Sequence, residues 1–307
     1  MELSVLLAGA VSCSPTDMPA APERLELLPA TVIPTKTVAQ GGTLPATYIL
    51  TASAHLDATD NGMDYYKAHR FIHEGGVWKG SPTIYWPISG SLSVLCMATE
   101  ESGAELGSLC TWGSPDASSA VQADIPDGIN LDSEILYGAS NLRRGSSALH
   151  MHHTQACLRF LVSSNAPDLI RIDRIELEDV YSGGVITVRN EGLLHHEWKF
   201  SGHQRQKTLT VPGSSGIEVG EDVSEMTLLL PEQRSSNIRI SYRRRNYVTD
   251  PWDQAPVEKS IVYAPRTDEW QSTGMYEYRL HFKLSEIIFS LSLSDWGHST
   301  TSVSTLH

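Results

Sequence analysis

The chain has 307 residues and a formal net charge of −13, from 36 acidic against 23 basic residues. A surface this acidic repels phosphate backbones and excludes general nucleic-acid binding. With 40% hydrophobic and 19% charged residues, the composition excludes a disordered chain; the length exceeds one average core, so two domains, or one large all-β domain, are expected.

The chain opens with "MELSVLLAGAVSCSPTD". Its apolar run, Leu3 to Val11, is too short to span a membrane as a helix but fits the apolar region of a secretory signal. Ala10 and Ser12 precede Cys13, and this resembles the bacterial lipobox, in which the cysteine is acylated and becomes the first mature residue. An ordinary cleaved signal with an incidental cysteine is the alternative. Ser14 to Asp17 looks like a flexible tether, so residues 1–22 are assigned to signal and tether.

From about Glu23 the pattern is strand-like. Tyr48, Leu50 and Ala52 share one face of Ala46–Ala54, and Thr83–Pro87 is short and aromatic. Leu92–Thr99 is almost continuously apolar, as in a strand buried on both faces. Residues 100–147 are rich in Gly, Ser, Pro and Asp and give little periodic signal. A domain boundary is therefore placed there, dividing an N-terminal β-sandwich, 23–146, from a C-terminal one, 147–307. Strands resume with "LHMHHTQACLRFLV", Leu149 to Val162, read as the first strand of the second sandwich with Ala156, Leu158, Phe160 and Val162 facing its core. Leu169–Val180, Gly184–Asn190, Glu225–Gln233 and Asn237–Tyr247 follow. In Met275–Leu284, Tyr276, Tyr278, Leu280, Phe282 and Leu284 alternate with Glu277, Arg279, His281 and Lys283, a period of two with one buried and one wet face. Ile287, Phe289, Leu291 and Leu293 alternate with serines beyond a short interruption at Ser285–Glu286, which predicts a hairpin. No sustained helical repeat occurs. The expected class is all-β.

Catalytic signatures are missing: there is no phosphate-binding Gly-rich loop, no G-x-S-x-G and no H-E-x-x-H. Two of the twelve histidines, His150 and His152, would share a strand face and are the candidate metal ligands, although a third ligand is not supplied by spacing. His153 would point to the other face. Cys157 sits in an apolar run, where a thiol pKa rises and reactivity falls. Acids such as Asp60, Asp64, Glu176 and Asp179 show no spacing that singles out a glycosidase pair. Trp78, Trp86, Trp112 or Trp252 would serve a sugar-binding platform if exposed, and core packing is the preferred reading. A Cys96–Cys110 disulfide is open in an exported protein. The clusters Arg143-Arg144 and Arg243-Arg244-Arg245 read as solvated strand ends or loops, with a local patch for an acidic partner or a protease as runner-up.

Several segments together resemble the fimbrillin family, including its Mfa-like branch, lipoprotein subunits of type V fimbriae. Phe71–Thr99, with Tyr85-Trp86-Pro87, Gly90 and the strand ending near Ala98, looks like the first-domain signature. In the second domain, His153, Ala156 and Phe160 match the family's opening strand, and Ile170–Val188 is similar to the next strand pair. Leu228–Gln233 resembles an apolar-Pro-Gln strand end with Glu232 inserted, and Gly274–Trp296 the closing hairpin.

The resemblance implies two transthyretin-like Greek-key β-sandwich domains in tandem. It implies no enzyme activity and no cofactor. It also implies export as a lipoprotein to the outer membrane and the cell surface, anchored through Cys13. Other fimbrial subunits would be partners by β-strand addition after proteolytic removal of an early strand, with a host or glycan ligand as a further partner. Lys36, within Ile33–Thr37, occupies the position where family members carry the cleaved arginine. A non-polymerising surface glycan-binding lipoprotein is the alternative.

Overall fold

The computed structural model describes residues 22–28, 31–32, 43–56, 64–100, 110–112, 120–128, 134–146, 148–190, 193–252, 259–265, 267–272, 274–283, 287–295 and 298–306. Its regular elements are strands, and no α-helix occurs among the described residues.

The first body is an eight-stranded sheet. Along it lie β1 (Glu26–Leu27), β5 (Val77–Ser81), β4 (Asp64–Glu74), β3 (Tyr48–Leu56), β6 (Leu92–Glu100), β9 (Ile135–Leu142), β10 (His150–His153) and β2 (Thr31–Val32). β1 and β2 are its two edges. In a flat sheet they would stand roughly 34 Å apart at ~4.8 Å per strand. The chain from Leu27 to Thr31 reaches at most ~14 Å. The sheet therefore curls until its edges approach, enclosing a core that includes Leu27, Leu50, Phe71, Trp78 and Leu92, all fully buried. Gly138 on β9 lets β10 lie close, because a Cβ there would meet the His150 carbonyl oxygen at 2.4 Å.

Leu92–Thr99 is buried on both faces, as its composition predicts. Val94, Cys96 and Ala98 face the curled core, while Leu95 and Met97 face outward under a second layer. That layer is the four-stranded sheet β14 (Leu194–Lys199), β13 (Gly184–Asn190), β8 (Ala120–Ile125) and β7 (Cys110–Trp112). Ile186, Val188 and Trp198 close its contact with Leu95 and Met97. In space the two halves interleave across position 146/147: β10 pairs with β9, and the β13–β14 hairpin pairs with β8. Cys96 carries a free thiol whose S–H reaches the Gly138 carbonyl at 3.3 Å, and burial pushes its pKa up to about 12.

The second body is a sandwich. One sheet runs β17 (Ser224–Pro231), β11 (Gln155–Ser164), β22 (Gly274–Phe282), β23 (Ile287–Asp295) and β24 (His298–Leu306). The other runs β15 (Gln206–Thr210), β12 (Ile170–Val180), β19 (Ile238–Arg244) and β20 (Lys259–Tyr263), with β16 (Ile217–Val219) also on β12. A short pair, β18 (Gln233–Arg234) and β21 (Glu269–Trp270), completes the set. Ala156, Leu158, Phe160 and Val162 face this core, as expected, and so do Tyr276, Tyr278, Leu280 and Phe282.

The predicted closing hairpin is present: β22 and β23 pair from Gly274↔Asp295 to Phe282↔Ile287. Glu277 departs from the expected wet face and is buried, because Arg159 and Arg279 both pair with it. The Arg243–Arg245 cluster also departs from the solvated reading. Arg243 pairs with Asp173 at 2.9 Å, and Arg245 is buried, its Nε donating to the Asp168 carbonyl at 2.7 Å.

Candidate functional site

The Leu149–Val162 segment serves two bodies. β10 completes the curled sheet and β11 opens the sandwich, with Thr154 alone between them. Thr154 marks the break because its N–H and its hydroxyl both donate to the Ile135 carbonyl, at 3.2 and 2.8 Å. The Gln155 side-chain oxygen accepts from the Ile135 N–H at 2.9 Å, closing the seam.

The histidines alternate as a strand requires. His150 is exposed and His152 half-buried, while Met151 and His153 turn inward. His153 pairs with Glu134, itself buried, and the Tyr48 hydroxyl donates to the same carboxylate at 3.3 Å. Burial and the Glu134 charge both push the Tyr48 phenol upward, so it stays a neutral donor. On the outer side the His152 ring packs on Tyr137 with centroids 5.4 Å apart, and Tyr137 packs on His196 at 4.9 Å. His196 Nδ1 lies 3.0 Å from the Tyr137 hydroxyl, and its Nε2 stands 3.3 Å from Glu232 of the second body. Glu232 also accepts the Ser272 N–H at 2.7 Å. Burial pushes the Glu232 carboxyl up, but His196 and Ser272 outweigh it and the net direction is down. His152 is held below its ordinary value by burial, then by the neighbouring His153, His150 and His196.

These contacts make the segment a junction between bodies. His150 and His152 share a face as expected, but among the described residues no three His, Cys, Asp or Glu side chains converge to hold a metal ion. Cys157 packs with Leu229 and Met275. The sequence reading missed the His196–Glu232 contact, since the partners are far apart in the chain. The one available signal was Glu232 standing inside an apolar-Pro-Gln strand end. Its neighbour Gln233 acts as a strand surrogate: its side chain accepts from the Tyr181 N–H and donates to the Tyr181 carbonyl, both at 2.8 Å.

Two edges bear on assembly. Among the described residues, β2 joins β10 in parallel at His150↔Thr31 and Met151↔Val32. β24 closes the sandwich sheet, paired to β23 from Asp295↔His298 to Ile287↔Leu306. Cys13 and Lys36 lie outside the described residues. Trp78, Trp86, Trp198 and Trp270 are buried, and the Trp252 ring lies beneath the Arg245 and Arg171 guanidinium groups at 4.3 and 5.3 Å.

The architecture is that of an all-β protein built from stacked, mainly antiparallel sheets around separate cores. No family model matches the sequence, and no curated protein matches it significantly. Solved structures do share the fold. A candidate cell-adhesion protein from Bacteroides uniformis matches with a TM-score of 0.54 at 11% identity, over 89% of this chain and 99% of that one. One from Bacteroides ovatus matches with a TM-score of 0.54 at 13% identity, over 92% and 96%. A fimbrial protein from Bacteroides vulgatus matches with a TM-score of 0.50 at 11% identity, over 89% and 100%. The fold is thus shared with Bacteroides fimbrial and cell-adhesion proteins, the class to which the sequence resemblance points.

Proposed function

We propose that the chain is a subunit or accessory adhesin of surface fimbriae and that it assembles rather than catalyses. It would be two transthyretin-like sandwiches, tethered to the outer membrane through acylated Cys13 until the chain is cleaved. Assembly proceeds by strand addition: cleavage after Lys36 releases the segment that carries β2, and a strand from the next subunit replaces it beside β10. The observation that supports this reading is the place of β2: an early strand, a few residues before the cleavage candidate, lies in parallel at the edge of the sheet beside β10. Once vacated, such an edge templates another strand. The surface glycan-binding alternative asks for an exposed aromatic platform, and four of the described tryptophans are buried.

The test is limited proteolysis at Lys36 followed by sizing. Cleaved chain is expected to form dimers and longer polymers while uncleaved chain stays monomeric. Cleaved chain that remains monomeric at high concentration contradicts strand addition. A Cys13→Ala variant is expected to leave the membrane fraction, and one that stays membrane-bound contradicts the anchor.

A further inference from the structure

Among the described residues, chain crosses between the two bodies near the seam at Thr154 and at the two legs of the β13–β14 hairpin. Thr154 is the single residue between β10 and β11. One leg, Tyr181 to Gly183, leaves β12 of the second body, and the other, Phe200 to Arg205, returns to β15. The hairpin is thus an excursion. It lies between β12 and β15, which pair with each other, yet it pairs with β8 and packs on the first body.

Bodies joined by a short linker move against each other unless a large apolar contact holds them. The hairpin supplies that contact. β13 pairs with β8 from Gly184↔Ile125 to Arg189↔Ala120 without a register shift. Ile186, Val188 and Trp198 are buried against Leu95 and Met97 of β6. Trp198 also reaches the joint itself, its indole N–H donating to the Thr154 carbonyl at 2.6 Å.

The legs are pinned on both sides. Toward the first body, Ser182 Oγ accepts the Gly128 N–H at 3.0 Å, and His203 stands 3.1 Å from both Asp124 and Asp127. Gly183 packs so closely that an added Cβ would meet the Ile125 carbonyl oxygen at 2.4 Å. Toward the second body, Gln233 holds Tyr181 through its two 2.8 Å hydrogen bonds, and Arg205 Nε donates to the Asp179 carbonyl at 2.6 Å. The legs also pack on each other, with Tyr181 stacked on Phe200 at 4.1 Å between centroids. Gly184 is the end of β13 nearer the second body, since Tyr181 just before it is held there. Drawing the bodies apart therefore pulls β13 lengthwise along β8. The hydrogen bonds of an antiparallel ladder lie across the strands, so this pull loads them together in shear rather than peeling them one by one.

We infer that the β13–β14 hairpin is a strap that locks the two bodies in one orientation and lets go as a unit, leaving Thr154 as a hinge. The strap works within one molecule, and every residue it uses lies beyond Lys36. It therefore holds or fails independently of cleavage and strand addition.

Small-angle scattering of the full chain tests it, with wild type, Gly183→Val, Val188→Asp and a Gln122→Cys/Thr187→Cys staple built into Gly183→Val. Gln122 and Thr187 stand opposite each other across β8 and β13, with their side chains hydrogen-bonded at 3.2 Å, a placement that suits a disulfide. Wild type is expected to scatter as one compact particle. Gly183→Val wedges a leg off Ile125, and Val188→Asp puts a charge under the strap, so each should enlarge the maximum dimension. The staple should return the wedge variant to the wild-type profile when oxidised and release it on reduction. Hydrogen exchange identifies an unseated strap on a folded chain: β13 amides lose protection while β11 amides keep it. A variant in that state that scatters like wild type overturns the proposal. Wild type gives the second check if neither variant reaches that state. Its β13 amides and the Trp198 indole N–H are expected to exchange at a common rate, and a spread beyond about tenfold, meaning piecemeal opening, overturns the proposal as well.

Discussion

The two cores are built on different principles. In the second body, β11 pairs with β17 over Gln155↔Pro231 to Val162↔Ser224 and with β22 over Cys157↔Met275 to Ser164↔Phe282, without a register shift. Between the sheets Tyr263 stacks on Phe289 with centroids 3.8 Å apart; within one sheet Phe160 stacks on Tyr278 at 5.3 Å, and the Trp270 indole of the short β21 strand donates to the Tyr278 hydroxyl at 2.9 Å. The first body packs small residues, Ala52, Ala54 and Ala98, beside Phe71 and Trp78 in its core, and its β3–β4 pairing shifts register twice, against one shift between β12 and β19 in the second body. It also buries polar groups at its junction end, where Glu134, His153 and Tyr48 meet. Aromatic side chains bury more apolar surface than alanines, and buried polar groups cost free energy unless fully partnered. We expect the second body to be the firmer frame and the first, with its edge at β10 and β2, the more easily opened one.

The largest expected break is in the second core. Phe289→Ala removes a stacked, fully buried ring and is expected to cost about 3–5 kcal/mol, read as a lower urea midpoint at unchanged slope. A loss under about 1 kcal/mol would mean the aromatic cluster is not the frame. Next comes the buried pair. Glu134→Gln leaves His153 and Tyr48 without their acceptor charge and is expected to cost about 3 kcal/mol, while Glu134→Leu with His153→Leu should recover most of it. Failure of the double variant to recover would show the pair positions the backbone at the seam.

Smaller still is the pH effect at His152. Its folded pKa is depressed, so its contribution is fully present above the unfolded value of about 6.5 and is lost as pH falls through the folded value. Stability should decline on mild acidification, with the decline reduced in His152→Gln and tracked by fluorescence melts between neutral and acidic buffers. An unchanged pH profile in the variant assigns the acid sensitivity elsewhere. The smallest effect is expected on the outer face of the second body, where Arg239 Nε donates to Glu178 at 2.9 Å. Arg239→Met should cost at most about 1 kcal/mol, less in salt, as the melting midpoint will show.

Legibility in the sequence follows the same divide. The closing hairpin was readable because Tyr276 to Phe282 alternate without interruption, and period two determines which face is buried. Leu92–Thr99 was readable as doubly covered from its continuous apolar run. The split of Leu149–Val162 was not, because β10 and β11 are both extended and only the hydrogen bonds of Thr154 and Gln155 to Ile135 divide them. Glu277 was misplaced for a related reason: its burial depends on Arg159, brought alongside by the parallel β11–β22 pairing.

Native-state hydrogen exchange across Thr154 tests the central claim, that a firm sandwich carries a weakly closed assembly edge. The amides of β11 are expected to exchange only on global unfolding, and those of β10 and β2 at least a hundredfold faster, through local opening. Equal protection on both sides of Thr154 would contradict the account, because an edge as firmly held as the frame offers no strand to exchange.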